Sequence, residues 1–341
     1  MDPFVLYYPD NHQNHQLQGH PESPDRVEVI KKGLMEVNLW ESIPKLDPYI
    51  ISDEIINAVH DSGYLNILKQ ASSQSQMLDL DTYTTKESWQ LAINAAGGAV
   101  AVAEAVWNRD YQTGFALTRP PGHHATRSRG MGFCLINNVA VAAEYLRQTM
   151  GAKTISIIDI DLHHGNGTQD IFWYRSDVSY LSVHQAPFYP GTGGLTEIGE
   201  GEGKGYTLNL PIPGSSGDLA FQTLLTEIVL PYLNRIKPEI LLISFGFDTH
   251  WKDPLGSMLV SASGINRAIR TLADWTESNC NGRIAIFLEG GYDLEAGHAC
   301  GQAVATALVN QDWEDSLGLA PSPEGDAWQY TLIDAKRIWE F

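Results

Sequence analysis

Short apolar runs alternate along this chain with stretches of helical patterning. Thr154-Ile155-Ser156-Ile157-Ile158-Asp159-Ile160-Asp161 is β-branched and apolar at most positions, and reads as a buried strand. Glu239–Gly246 and Arg283–Gly290 read the same way. Helix-like patterns fill the intervals, among them Asn137–Met150 and Asp218–Ile236. Continuous apolar strands separated by helices build a parallel sheet covered on both sides. The pattern therefore predicts an α/β fold with a central, mainly parallel β-sheet and helices on both faces. No repeat, low-complexity tract or Gly/Ser/Pro linker interrupts it, so one domain over residues 1–341 is expected. Residues 310–341, with Pro321, Pro323 and a helix-like Thr331–Phe341, carry no motif. They are expected to pack as a C-terminal extension on the core or against a partner subunit, which leaves a homo-oligomer open.

Charge narrows the partners. The chain has 22 Lys and Arg against 41 Asp and Glu, a formal net charge of −19. Such a field disfavours direct nucleic-acid binding and would attract cationic substrates such as polyamines or Lys-rich peptides. Solubility is an equally good reading of it. Cys134, Cys280 and Cys300 are too few and too scattered for a disulfide framework, which suits a reducing compartment and a cytoplasmic location. Met1–Val5 has neither a basic stretch nor an apolar core, so no signal peptide is expected, and no apolar run is long enough to predict a membrane span.

In open α/β sheets, sites form beyond the carboxyl ends of the strands. The three predicted strands end in Asp161-Leu162-His163-His164-Gly165, Gly246-Phe247-Asp248-Thr249 and Glu289-Gly290-Gly291-Tyr292. Strand alternation would send Asp159, Asp161 and His163 one way and His164 the other. Two carboxylates and one imidazole, with Asp248 as a third ligand and a position left for water, suit a catalytic zinc. The competing reading is a buried Asp–His network with no metal. Arg119-Pro120-Pro121-Gly122-His123-His124-Ala125 sets two histidines on a stiff loop, either as a proton-transfer pair or as one ligand and one structural residue. Gly130–Cys134 and Phe188–Gly193 each place an aromatic ring in a Gly-rich loop, which makes a slot for an alkyl chain or ordinary core. Tyr292, after a Gly pair, could donate to a developing oxyanion or simply be a satisfied core phenol.

Together, and in this order, these segments resemble the histone deacetylase superfamily, which includes acetylpolyamine amidohydrolases. The matching stretches are His20-Pro21-Glu22-Ser23-Pro24-Asp25-Arg26, Asp79-Leu80-Asp81-Thr82-Tyr83, RPPGHHA from Arg119, MGFCLINN from Met131, DIDLHHGNGTQ from Asp159, FYPGTG from Phe188, GFDTHWKDPLG from Gly246 and EGGY from Glu289. They run from about residue 20 to about residue 300. The resemblance implies an arginase–deacetylase-like fold and zinc-dependent hydrolysis of an N-acetyl amide, either acetyl-lysine in a protein or a small acetylated amine. It assigns zinc to Asp161, His163 and Asp248, proton transfer to His123 and His124, and polarisation of the scissile carbonyl to Tyr292. Asp159 would partner His123. Asn166 would orient His124 where some members carry Asp, which points to a class II-like branch. Phe133 and Tyr189 would line the acyl channel, Gly132 would supply backbone contact, and Arg26 would lie near the inner end.

The same resemblance places a carboxylate at the rim, Asp81 or its neighbour Asp79. It implies a potassium ion held by Asp159 and by main-chain oxygens of Asp161 and His163, with Ser182 and Val183 as the remaining ligands. A second potassium would use backbone near Phe172, Arg175 and Val178. Leu255 occupies the position of a channel gatekeeper, where Glu would favour free polyamines by charge pairing. Acetylpolyamine amidohydrolysis specifically remains an alternative. A dinuclear manganese ureohydrolase is disfavoured because Tyr292 and the His pair stand where its second metal needs ligands. A non-catalytic acyl-lysine binder is disfavoured because no ligand, His or Tyr of the set is missing.

Overall fold

The structure is a computed structural model that describes residues 2–341, with side chains from Phe4 onward. Seven strands form one sheet: β1 (Asp2–Tyr7), β2 (Tyr111–Ala116), β3 (Ile155–Asp159), β4 (Val178–Gln185), β5 (Thr207–Ile212), β6 (Ile240–Phe245) and β7 (Ile284–Leu288). Their spatial order is β1-β2-β7-β6-β3-β4-β5, and every neighbouring pair is parallel. Side-chain alternation divides the core into two layers. Ile155 and Ile157 of β3 pack with helices Ser88–Trp107 and Asn138–Gln148. Ile158 and Ile160 pack on the opposite face with helices Asp25–Glu36, Ala262–Asn279 and Leu294–Leu308. Both layers are closed to solvent, which is why the central strands are apolar at most positions instead of alternating.

Three of these helices begin at side-chain caps. Asn137 accepts from the Ala140 N–H, Ser261 from Gly264 and Asp293 from Ala296. The last of these anchors the chain immediately after Tyr292. The expected strand over Thr154–Asp161 is shorter in the structure, because the ladder stops at Asp159. Asp161 and His163 therefore stand in a loop, and strand alternation does not govern where they point. The helix expected over Asp218–Ile236 holds but contains a π turn at Leu225–Val229. The terminal helix starts at Trp328 and ends at Trp339. It buries Trp328, Thr331, Ala335 and Trp339, and the Thr331 hydroxyl donates to the Pro211 carbonyl of β5 at 2.6 Å. Cys134, Cys280 and Cys300 are free and buried, and among the described residues no helix is long and apolar enough to cross a membrane.

Candidate active site

The order of the sheet explains the site. β7, β6 and β3 are neighbours at its centre, with β2 and β4 flanking them. The five loops that leave these strands carry Tyr292, Asp248, Asp161 with His163, His123 with His124, and Tyr189. Ligating atoms of Asp161, His163 and Asp248 all lie within 4.8 Å of one another. His163 Nδ1 is 3.2 Å from Asp161 Oδ1 and 3.2 Å from Asp248 Oδ2. The second oxygen of each carboxylate is held by backbone: Gly290 N–H donates to Asp161 at 2.8 Å, and Leu162 N–H donates to Asp248 at 3.0 Å. A Cβ at Gly290 would sit 2.3 Å from an Asp248 oxygen and 2.6 Å from an Asp161 oxygen, so only glycine admits this approach.

The donor set fits a divalent cation. Both carboxylates are fully buried. Burial and the neighbouring Asp161 charge push Asp248 up to about 7. His163 rises to about 9 because hydrogen bonds to Asp161 and Asp248 outweigh its burial. Such mutual repulsion is what a shared cation relieves, and two oxygens with one imidazole is a zinc-compatible set. A second group, His123, Cys134 and Glu289, is equally compact. Its Glu289 carboxylate is already occupied by the N–H groups of Gly122 and His123 and by the Ser244 hydroxyl.

The two histidines differ in environment. His123 Nδ1 donates to Asp159 Oδ2 at 3.0 Å, and His124 Nδ1 donates to Asn166 Oδ1 at 2.8 Å. Their ring centroids are 4.1 Å apart. Burial opposes charge on both. At His123 the Asp159 and Asp161 carboxylates override it and raise the imidazole to about 10. His124 has no carboxylate hydrogen-bonded to it, and Asp161 raises it too little to compensate. Burial, then the His123 and His163 charges, hold it well below its ordinary value. His164 turns to a separate network, with Thr192 at 2.7 Å and Gln169 at 3.0 Å.

A cavity of about 440 Å³ opens beside these groups and is lined by His124, His163, Gly132, Phe133, Tyr189, Leu255 and Tyr292. The Phe133 ring stands edge-on to Tyr292 at 5.7 Å, and Tyr189 edge-on to His124 at 5.1 Å. Gly132 has φ +55°, and a Cβ there would meet His124 Cδ2 at 2.5 Å. Asp81 lines the cavity with His20 and Pro21. Asp79 does not; it accepts the N–H groups of Asp81 and Thr82 and so shapes the loop. Arg26 is absent from the cavity wall. It is fully buried beneath Tyr292, its guanidinium 5.2 Å from that ring's centroid, and donates to Glu22 and to the Glu289 and Gly291 carbonyls. Asp159 and Ser182 face each other in register on β3 and β4, and Ser182 Oγ lies 2.9 Å from His184 Nδ1. Phe172 and Arg175 are joined by a turn just before β4, which begins at Val178.

Comparison with known proteins agrees with this geometry. The histone deacetylase domain family matches residues 20–308. The chain belongs to the histone deacetylase family. A probable deacetylase of Archaeoglobus fulgidus is 38% identical to this family member over 293 residues, covering 85% of this chain and 81% of its own. Histone deacetylase 14, chloroplastic, of Arabidopsis thaliana is 39% identical over 337 residues, covering 93% and 78%. The histone deacetylase-like amidohydrolase of Pseudomonas aeruginosa is 35% identical over 292 residues, covering 85% and 77%. The crystal structure of the HDA15 HD domain matches with a TM-score of 0.90 at 33% identity, covering all of this chain and 96% of that one. The arginase–deacetylase fold and a hydrolase of the deacetylase–amidohydrolase type follow.

Sequence reasoning missed three supports of this deacetylase-family site. Glu289, the residue after β7, fixes the His loop by accepting from Gly122 N–H at 2.7 Å and His123 N–H at 3.1 Å. A carboxylate closing an apolar strand was the available signal. The Tyr180 hydroxyl donates to Asp159 at 3.1 Å and accepts from Gly165 N–H at 3.0 Å. Nothing in the chain marks that mid-strand tyrosine. Asp253 holds the backbone of Tyr292 and Leu255, and only its place in the DPLG run hinted at it.

Proposed function

We propose that this protein is a zinc-dependent amide hydrolase that converts an N-acetylated amine, either an acetyl-lysine side chain or a small acetylated amine, to acetate and the free amine. One observation carries the reading: a compact Asp161–His163–Asp248 cluster borders an aromatic-walled cavity that His124 and Tyr292 also line. A zinc ion on those three ligands would supply Lewis-acid polarisation of the acetyl carbonyl and acidify the attacking water. The chain's own groups do the rest. With its Nδ1–H committed to Asn166, His124 keeps Nε2 as the basic nitrogen that takes the water proton and returns it to the leaving amine. His123, kept charged by Asp159, contributes a fixed positive potential beside the reacting carbon. Burial holds the Tyr292 phenol well above its ordinary value, so it stays protonated and donates to the developing oxyanion.

Phe133, Tyr189 and Leu255 give the alkyl chain an apolar path, and the Gly132 backbone borders it. Asp81 at the cavity would receive an amide N–H or an amine. Leu255 offers no charge to a polycation, which favours acetyl-lysine-like substrates over free acetylpolyamines. Asp159 and Ser182, with main-chain oxygens of Asp161, His163 and Val183, are the donors suited to a potassium ion. The free thiols accord with a reducing, cytoplasmic setting.

The test is turnover of the zinc-loaded protein on acetyl-lysine peptides, acetylpolyamines and aryl acetamides, with metal content measured in parallel. Asp248→Ala is expected to lose bound zinc and activity together. Wild-type zinc stoichiometry in that variant, or undiminished turnover after chelation, would overturn the reading.

A further inference from the structure

Five residues beyond Asp248 stands a second aspartate to which the chemistry above gives no task. Asp253 is 5% exposed, and its carboxylate takes three backbone donors. Oδ1 accepts from Leu255 N–H at 2.9 Å, while Oδ2 accepts from Tyr292 N–H at 2.6 Å and Asp293 N–H at 3.1 Å. Leu255 and Tyr292 both line the acyl cavity, yet they belong to loops leaving different strands, β6 and β7. One carboxylate therefore joins two walls of the cavity.

The Tyr292 loop needs such an anchor. Gly290 and Gly291 precede the tyrosine, and Gly291 has φ +111°, a conformation that residues with a Cβ rarely adopt. The Gly291 backbone is seated on the Phe247 ring and its carbonyl accepts from Arg26. Beyond the tyrosine, Asp293 caps helix Leu294–Leu308 through the Ala296 N–H at 2.8 Å. Between these two fixed points, the Tyr292 N–H is held by Asp253. Charge-assisted bonds of this kind are roughly twice as strong as neutral ones. An amide in its place has an acceptor on one side only, so its NH2 group would oppose a backbone donor.

We infer that Asp253 is a positioning residue: its carboxylate sets the backbone of Tyr292 so that the phenol O–H reaches the acetyl oxygen, and it ties the Leu255 wall to the same point. The inference rests on the proposed donor role of Tyr292. A misplacement of about 1 Å in a reacting group costs on the order of 100-fold in rate, so loss of this strut falls on kcat.

The experiment is a double-mutant cycle on the zinc-loaded, full-length protein with Asp253→Asn and Tyr292→Phe. Asp253→Asn is expected to lower kcat by about 10- to 100-fold with zinc content unchanged. Hydrogen exchange at the Tyr292 and Asp293 amides is expected to quicken. In the Tyr292→Phe background the same substitution should lower kcat by less than about twofold, because the group it positions is gone. Losses that multiply in the double variant would show a general structural role and overturn the inference. An unchanged kcat in Asp253→Asn would overturn it as well. Full activity in Tyr292→Phe would instead remove the donor role and the inference with it. If Asp253→Asn does not fold, Asp253→Glu, which keeps the charge but misplaces the oxygens, enters the same cycle with the same expectations.

Discussion

At the scale of a residue, the pair His124 and Asn166 would set the pH range of the proposed reaction. A neutral amide orients the ring through a 2.8 Å bond but adds no charge to stabilise the imidazolium. Burial and the adjacent His123 and His163 then keep His124 well below its ordinary value. A carboxylate at 166 would favour the protonated ring and raise it. In the proposed mechanism His124 acts as a base in its neutral form, so Asn166→Asp is expected to move the acid limb of kcat/KM to higher pH by about one unit or more. A pH–rate profile with its acid limb unmoved would remove Asn166 from this role. The Gly290 and Gly132 contacts have the same local character, since each is a place where a single methyl group would enter an imidazole or a carboxylate.

At the scale of an element, the strand ends act as mounts. β7 is followed at once by Glu289, which reaches across to the loop leaving β2 and holds the backbone of Gly122 and His123. The same residue accepts the Ser244 hydroxyl of β6 at 3.0 Å. The loops leaving β2 and β7 are thus tied to strand β6 by one buried side chain. Glu289→Ala would orphan two buried N–H groups, each worth about 1–3 kcal/mol. It is expected to lower the unfolding free energy by about 2–4 kcal/mol in urea titration and to reduce turnover. Glu289→Gln, which keeps an acceptor oxygen, should lose much less. Equal losses in the two variants would show that backbone satisfaction is not what Glu289 provides.

At the scale of the whole molecule, a buried ionic cluster joins the N-terminal segment to the sheet. Glu22 accepts from Arg119 Nε at 2.7 Å, from Arg26 at 3.1 Å and from the Tyr83 hydroxyl at 3.1 Å, all away from solvent. Burial alone would raise its carboxyl. Arg119, His15 and Arg26 overcome that and pull it from 4.5 to about 2. A depressed carboxylate contributes stability that is full above its unfolded value and is lost as pH falls through its folded one. The protein should therefore lose stability between pH 4.5 and about 2. Glu22→Gln is expected to be less stable at pH 7 and to decline less steeply in that window. Parallel acid-unfolding curves for wild type and variant would refute the assignment.

The sequence by itself determined the α/β class, because a strand buried on both faces is apolar at most of its positions, as β3, β6 and β7 are. It also marked the residues able to ligate or transfer protons, since Asp, His and Tyr at strand ends are costly to bury without a task. β2, β4 and β5 escaped notice because Gln112, Ser179 with His184, and Asn209 break their apolar pattern. Tertiary structure alone decided which carboxylate faces which donor. It put Asp81 at the cavity and gave Asp79 to the backbone, moved Arg26 beneath Tyr292, and turned Asp253 and Glu289 into struts. Those assignments join residues on separate loops, brought together only where parallel strands out of chain order end side by side. Local periodicity carries no record of that convergence, because it arises from the packing of the sheet and not from any one segment's own preference.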